Sequence, residues 1–447
     1  MIRILYWNIK QFAKNKIDNP DPKRKRGEEK TGAAASQDRC NVIINALSEA
    51  TPVPDIFVVV ETATGGGTEG SLINGAGASG SLTLLQKIRT KLGPNWMLVP
   101  PVILGTGTLS EGVSVYYNSK TLAFTGPFYF QGSAGVATKP GTVTPVTYDG
   151  DWAGCLPPTP TPTSSGVINP GIPQNQLAGQ WYFNDGKKVP KKIEFPGSGD
   201  RAPFLTTFWD IASGRNIKLL AYHAPPDHVQ AANGINNIVS IQEMNAKLED
   251  NSVGVITGDF NVSLFDTDNA PKAYTNLISK ANYQRQINPT AATYPDRGYV
   301  CTTFTSWNTK TQPSPDNVNG YPAYGYLSTN SYDNFFIRYG KSLTNPNFGV
   351  NNATIVNLVT GAPYTAVTTP PYTGPVGSKN FSSAMAKTTA KVAAGMEIPA
   401  LPLPPAGPGG NGGFVPRTAG AGPKFREWDN LGKVYSVSDH MALVVDI

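Results

Sequence analysis

The chain carries little charge for its size. Only 15% of its 447 residues are Asp, Glu, Lys or Arg, against about 25% in an average soluble protein. Cysteine is scarce too. Cys40, Cys155 and Cys301 are odd in number and widely spaced, which excludes a disulfide framework and a CxxC metal knuckle. No apolar run reaches the roughly 18 residues of a membrane span. Residues 1–7 are too short an apolar stretch for a signal peptide and polar residues follow at once, so the expectation is a cytoplasmic protein, or one exported without a cleavable signal or with its signal removed. No internal repeat is visible. There are three histidines in all, His223, His228 and His440.

Glycine and proline are abundant by contrast, at 46 and 39 residues, where an average chain has about 7% and 5%. They follow no three-residue period, which excludes a collagen-like rod. They gather near 65–80, 131–200 and 362–423. The remaining sequence has the 39% hydrophobic content that a sizeable core needs. The pattern is that of one domain over 1–447 with three long loop insertions. The net charge of +6 is compatible with a polyanionic partner.

Hydrophobic patterning places strands at 2–7, 55–60, 112–117, 204–211, 217–222, 253–260, 299–305 and 333–339, with two strand-like stretches flanking 438–440. Helical spacing covers 36–50, 81–92, 229–250, 271–281 and an Ala/Lys stretch near 381–396. The elements alternate without strict βαβ order, and 204–211 and 217–222 look like a hairpin. Two mixed sheets with helices outside fit this order better than a barrel of parallel strands.

The residues able to bind metal or move protons stand at strand ends. Asn8 follows the first strand, Glu61 ends the second, His223 and Asp259 end two later ones, and Asp439-His440 follow the last but one. Strand ends on one sheet edge are where α/β folds assemble active sites. The segments WNI (7–9), VVVET (58–62), YHAPP (222–226), TGDFN (257–261), YDNFFI (332–337) and SDH (438–440) also occur in the order used by the endonuclease/exonuclease/phosphatase superfamily. The chain resembles its deoxyribonuclease I branch over nearly its whole length.

That resemblance implies an α/β fold, the four-layer α/β/β/α sandwich of two mixed sheets. It implies hydrolysis of phosphodiester bonds, DNA being the expected substrate, with Mg²⁺ as cofactor and Mn²⁺ or Ca²⁺ as alternatives. Glu61, Asn8 and Asp439 would surround the metal. His223 with Glu111 would protonate the leaving oxygen, and His440 with Asp333 would activate water. Asp259 and Asn261 would flank the scissile phosphate. Lys10 stands where the family commonly has arginine, and with Lys23, Arg24, Lys25 and Arg26 it would contact the DNA backbone. His228 reads as a structural histidine at a helix start. KKVPKK (187–192) reads as an exposed hairpin. Asp333 and Asp439 lie farther apart than the family needs, and the 362–423 insertion fills the gap. The rivals are a sphingomyelinase-like phospholipid phosphodiesterase and a catalytically retired binding module. The latter should have lost some of Glu61, His223, Asp259 or His440, and none is missing. The insertions could also meet an inhibitor or immunity protein.

Overall fold

A computed structural model describes residues 1–20, 32–50, 52–67, 69–126, 150–156, 176–177, 180–183, 191–195, 201–245, 248–288, 302–303, 330–341, 343, 353–356 and 437–447. Its first half contains β1 (Arg3–Phe12), α1 (Lys14–Ile17), α2 (Gly32–Ser48), β2 (Ile56–Thr62), α3 (Gly75–Leu92), β3 (Trp96–Val99), β4 (Gly112–Asn118) and β5 (Leu122–Gly126). Short strands β6 (Gln176–Leu177), β7 (Gln180–Phe183) and β8 (Lys191–Lys192) form a separate ribbon. The second half contains β9 (Phe204–Asp210), β10 (Arg215–His223), α4 (His228–Asn237), β11 (Ser252–Asp259), α5 (Ala270–Thr275), β12 (Gln284–Arg285), β13 (Asp333–Tyr339), β14 (Thr354–Ile355) and β15 (Leu443–Asp446).

Two six-stranded sheets result, ordered β14-β15-β1-β2-β4-β3 and β12-β13-β11-β10-β9-β5. Each is built on one central parallel pair, β1 with β2 and β10 with β11, flanked by antiparallel neighbours. Strand periodicity sorts the side chains. Ile217, Leu219, Val253, Val255, Phe335 and Ile337 belong to the core shared with the first sheet. Residues of the opposite parity on the same strands, Leu220, Tyr222, Ile256 and Phe336, pack with Ala231, Ile235, Tyr274 and Leu277 of the α4 and α5 region. On the far side, Ile43 and Leu47 of α2 and Leu84 and Ile88 of α3 cover the first sheet. The architecture is therefore the four-layer α/β/β/α sandwich expected from the sequence. No helix among the described residues is long and apolar enough to cross a membrane.

Three elements differ from the sequence pattern. Helix α3 begins at Gly75, inside the glycine-rich stretch read as a loop. Gly77 and Gly80 are needed for contact rather than for a turn. A Cβ on Gly77 would stand 1.6 Å from the Ala63 carbonyl oxygen, and one on Gly80 2.6 Å from the Ala13 carbonyl carbon. Close packing overrides the poor helix propensity of glycine. The helix expected over 229–250 stops at Asn237 and continues as 3₁₀ turns at Ile238–Ser240 and Gln242–Met244. The Asn245 amide donates to the carbonyls of Ile238, Val239 and Ile241, which closes these turns instead of extending the helix. The helix expected over 271–281 ends at Thr275 and passes into a π-helical turn, Asn276–Lys280. The Ala/Lys stretch near 381–396 lies outside the described residues, as do 362–423 and most of 131–200 and 299–305. Cys40 and Cys155 are buried, unpaired thiols.

One buried ion pair ties the β9–β10 hairpin to the C-terminal strand. Asp210, almost fully buried, accepts from Ser213 Oγ at 2.5 Å and Arg215 Nε at 3.1 Å. Arg215 Nη2 in turn donates to the Ile447 carbonyl at 2.7 Å. Burial pushes the Asp210 carboxyl up, but the Ser213 and Arg215 bonds outweigh it and hold it below the ordinary aspartate range. A folded-state pKa below the unfolded one stabilises above that range and ceases to do so as pH falls through the lowered value. Asp210→Asn is expected to cost about 2–3 kcal/mol in urea unfolding at neutral pH. Its deficit relative to wild type should shrink on acidification.

Candidate active site

The central parallel pairs of both sheets bring their C-terminal ends together. Asn8 comes from β1, Glu61 from β2, His223 from β10 and Asp259 from β11. His223 and Asp259 are direct partners in the register of the second sheet. The first strand runs on to Phe12, past the expected end at residue 7, but its regular pairing with β2 breaks between Asn8 and Phe12. The β2–β4 register also shifts, between Val59 and Thr62. Within these irregularities Gln11 and Glu61 take left-handed backbone angles, φ +50° and +59°. Such bulges re-aim side chains at sheet rims, and a non-glycine residue held there costs energy that surrounding bonds must offset. The Gln11 backbone N–H donates to Glu61 Oε2 at 3.0 Å, and Asn8 Nδ2 donates to Glu61 Oε1 at 3.1 Å.

Two histidine–carboxylate pairs face each other across this floor. His223 Nδ1 lies 2.5 Å from Glu111 Oε2. His440 Nδ1 lies 2.8 Å from Asp333 Oδ2. Both Nε2 atoms turn to a single oxygen, Asp259 Oδ2, at 3.4 Å and 3.5 Å. Burial disfavours a charged imidazole, but the adjacent carboxylates overcome it. Glu111 and Asp259 raise His223 well above the usual histidine range. Asp333 and Asp259 raise His440 to about 10. Asp259 itself is pushed up by burial, yet the charges of His440 and His223 bring it down to about 2.

The cluster can hold a cation. Ligand atoms of Glu61, His223 and Asp259 lie within 4.8 Å of one another, as do those of Asp259, Asp333 and His440. Asn8 Nδ2 is spent on Glu61 and on Asp259 at 3.0 Å, which leaves Asn8 Oδ1 buried and without a hydrogen-bond partner. A buried orphan acceptor beside two carboxylates suits a hard divalent ion. Asp439 turns to Lys10 Nζ at 2.6 Å, so the structure sets these two expected contributors against each other at the rim.

Asn261 also has a left-handed backbone, φ +49°. Its N–H donates to Asp259 Oδ1 at 3.0 Å, and its Nδ2 to the Ala224 carbonyl at 2.9 Å. These bonds fix the amide beside Asp259 and leave its second N–H hydrogen uncommitted to that bond. His228 lies between Asp266, at 3.3 Å, and the Tyr332 hydroxyl, at 3.2 Å. It starts α4, as its structural reading required. KKVPKK ends in β8, which pairs antiparallel with β7, while residues 187–190 lie outside the described residues. Lys23, Arg24, Lys25 and Arg26 lie outside the described residues.

Several contributors are not marked as site residues by the sequence, although Trp7 and Ser438 stand inside its WNI and SDH segments. Arg201 Nη1 contacts Glu111 Oε1 at 2.9 Å, and its Nε donates to the Leu109 carbonyl at 3.1 Å. It stands at the margin of a low-complexity stretch, and only folding brings it to Glu111. Ser438 Oγ donates to the Asn8 carbonyl at 2.5 Å and accepts from the His440 N–H at 3.0 Å. Trp7 Nε1 donates to the His440 carbonyl at 2.8 Å. Thr302 Oγ1 donates to Asp333 Oδ2 at 2.6 Å. Tyr6 was within reach, because period-two alternation puts it on the same face as Asn8.

No protein-family profile matches the chain, and no curated protein does. Solved structures similar to it include D. rerio TDP2 complexed with a single-strand DNA product, 10% identical, covering 99% of this chain and 97% of that one at a TM-score of 0.38. An endonuclease/exonuclease/phosphatase family protein from Bacteroides thetaiotaomicron is 12% identical, covering 75% and 82% at 0.35. The human Nocturnin catalytic domain with bound sulfate is 11% identical, covering 78% and 91% at 0.33. Likenesses at such scores carry no functional argument. The chemistry rests on the side chains described above.

Proposed function

We propose that this protein is a divalent-metal-dependent phosphodiesterase with the chemistry of the endonuclease/exonuclease/phosphatase superfamily, acting on DNA. The supporting observation is the pair of imidazoles, each gripped at Nδ1 by a carboxylate and each presenting Nε2 to the same central point. A histidine held this way has its tautomer and orientation set for proton transfer. Two of them about one point suit a displacement in which one group receives a proton as another gives one.

His440, oriented by Asp333, takes the proton from the attacking water in its neutral form, which a cation held by Asp259 would favour by offsetting the carboxylate charge that helps raise the imidazole. His223, oriented by Glu111, gives a proton to the departing 3′-oxygen. Asn261 donates to a phosphoryl oxygen, and Asp259 holds the two imidazoles apart. Glu61, Asn8 and Asp259 would hold the metal, taken here as Mg²⁺, which supplies charge stabilisation for an in-line displacement at phosphorus. Lys10, with the basic run 23–26, would track the backbone of the polymer, and such contacts weaken with salt.

A substrate panel tests this reading: supercoiled plasmid, single-stranded DNA, RNA and sphingomyelin, each with Mg²⁺ and with EDTA. Cleavage of DNA in Mg²⁺ and none in EDTA is expected. Hydrolysis of the lipid alone would move the assignment to a phospholipid phosphodiesterase, and no hydrolysis of any substrate would support a retired binding module.

A further inference from the structure

Among the described residues six tyrosines are almost fully buried: Tyr6, Tyr116, Tyr117, Tyr222, Tyr274 and Tyr283. Tyr116, Tyr274 and Tyr283 donate to backbone carbonyls, those of Ser81, Val262 and Met244. Tyr117 and Tyr222 have no hydrogen-bond partner among the described residues. Tyr6 alone of the six ends on an ionisable side chain. Its hydroxyl donates to Asp333 Oδ1 at 2.9 Å, across from the opposite sheet. Its ring meets Phe335 edge-on, with centroids 6.3 Å apart.

Asp333 is fully buried, and the division of its bonds matters. His440 Nδ1 and Thr302 Oγ1 share Oδ2. Oδ1 has Tyr6. The carboxylate is thus held at both oxygens, and its plane is set from both sheets. The next two residues of β1 serve the same assembly, Trp7 holding the His440 carbonyl and Asn8 bridging Glu61 and Asp259.

We propose that Tyr6 is a positioning residue: its hydroxyl fixes the Asp333 carboxylate, and through it the imidazole of His440, in the orientation that accepts a proton from water. This rests on the reading of His440 as the general base. Without the hydroxyl, Oδ1 is a buried acceptor with no partner. The carboxylate is then free to turn, and His440 loses its fixed orientation.

The test is Tyr6→Phe, with Tyr116→Phe as the control that removes an equally buried hydroxyl far from the cluster. Tyr6→Phe is expected to lower kcat about tenfold or more, as loss of an orienting partner does, with KM within about twofold. Tyr116→Phe should cost stability but leave kcat unchanged. In a His440→Ala background, Tyr6→Phe should have no further effect on rate, because residues acting as a unit are not additive. Proton NMR supplies a readout free of activity: the downfield imidazole N–H signal of the His440–Asp333 bond should shift in Tyr6→Phe and stay in place in Tyr116→Phe. An unchanged kcat, equal losses in both backgrounds, or an unmoved signal would overturn the proposal. A shifted signal in a protein that cleaves no phosphodiester would instead leave Tyr6 as the orienter of Asp333 and remove the enzymatic reading.

Discussion

His223→Ala is expected to slow cleavage of a nucleotide linkage by about 10²–10⁴-fold, the range for loss of one proton-transfer group. The same variant should lose far less on a phosphodiester with a 4-nitrophenolate leaving group. A departing 3′-alkoxide is strongly basic and needs a proton as its bond breaks, whereas 4-nitrophenolate is a stable anion and needs none. His440→Ala should behave differently, with a comparable loss on both substrates, because water must give up its proton whatever leaves. The contrast separates two histidines that look alike in geometry, each with Nδ1 on a carboxylate and Nε2 near Asp259 Oδ2. Steady-state rates of the two variants on the two substrates supply the check. Equal losses of the His223 variant on the two substrates would mean that His223 is not the acid assigned to it, and a His440 loss confined to one substrate that His440 is not the base.

Glu61→Gln is expected to weaken Mn²⁺ binding by at least about 100-fold, measured by calorimetry, since a hard cation depends on carboxylate charge. Glu61 is placed for this at a cost. Its backbone is left-handed, in an irregular stretch between β2 and β4, and its two oxygens are held by Asn8 and the Gln11 N–H. The amide keeps the size of the side chain but turns an N–H₂ group toward one of those donors, so a small loss of stability should accompany the loss of affinity. Binding that survives unchanged would move the metal away from Glu61, toward the other acid–histidine group of Asp259, Asp333 and His440.

Much of this was readable before folding, for a definite reason. Asn8, Glu61, His223, Asp259 and His440 all stand at or beside the ends of strands with strong apolar patterns, and strand ends on one edge converge whatever the loops do. Glu111 and Asp333 came only with the family resemblance, as the carboxylates it implies beside His223 and His440. The pattern failed where a tertiary contact decided the local structure. Gly77 and Gly80 look like loop residues but lie in a helix, because the backbone of Ala63 and Ala13 passes too close for any side chain. The stretch after Asn237 keeps a helical hydrophobic pattern, yet Asn245 closes its carbonyls into short turns. Arg201 was not readable at all, since its partner Glu111 is distant in sequence and nothing local marks it. The positive backbone angles at Gln11, Glu61 and Asn261 were likewise unmarked, because none of the three is glycine.

On the proposed reading, one cluster fed by both sheets hydrolyses phosphodiesters through His223 and His440 with a divalent cation. The most direct measurement is nicking of supercoiled plasmid by the full chain in three arms: wild type with Mg²⁺, wild type with EDTA, and His440→Ala with Mg²⁺. Nicking in the first arm alone, with the loss in EDTA restored by added Mg²⁺, is the predicted result. Nicking that persists in EDTA, or at near wild-type rate in His440→Ala, would contradict it.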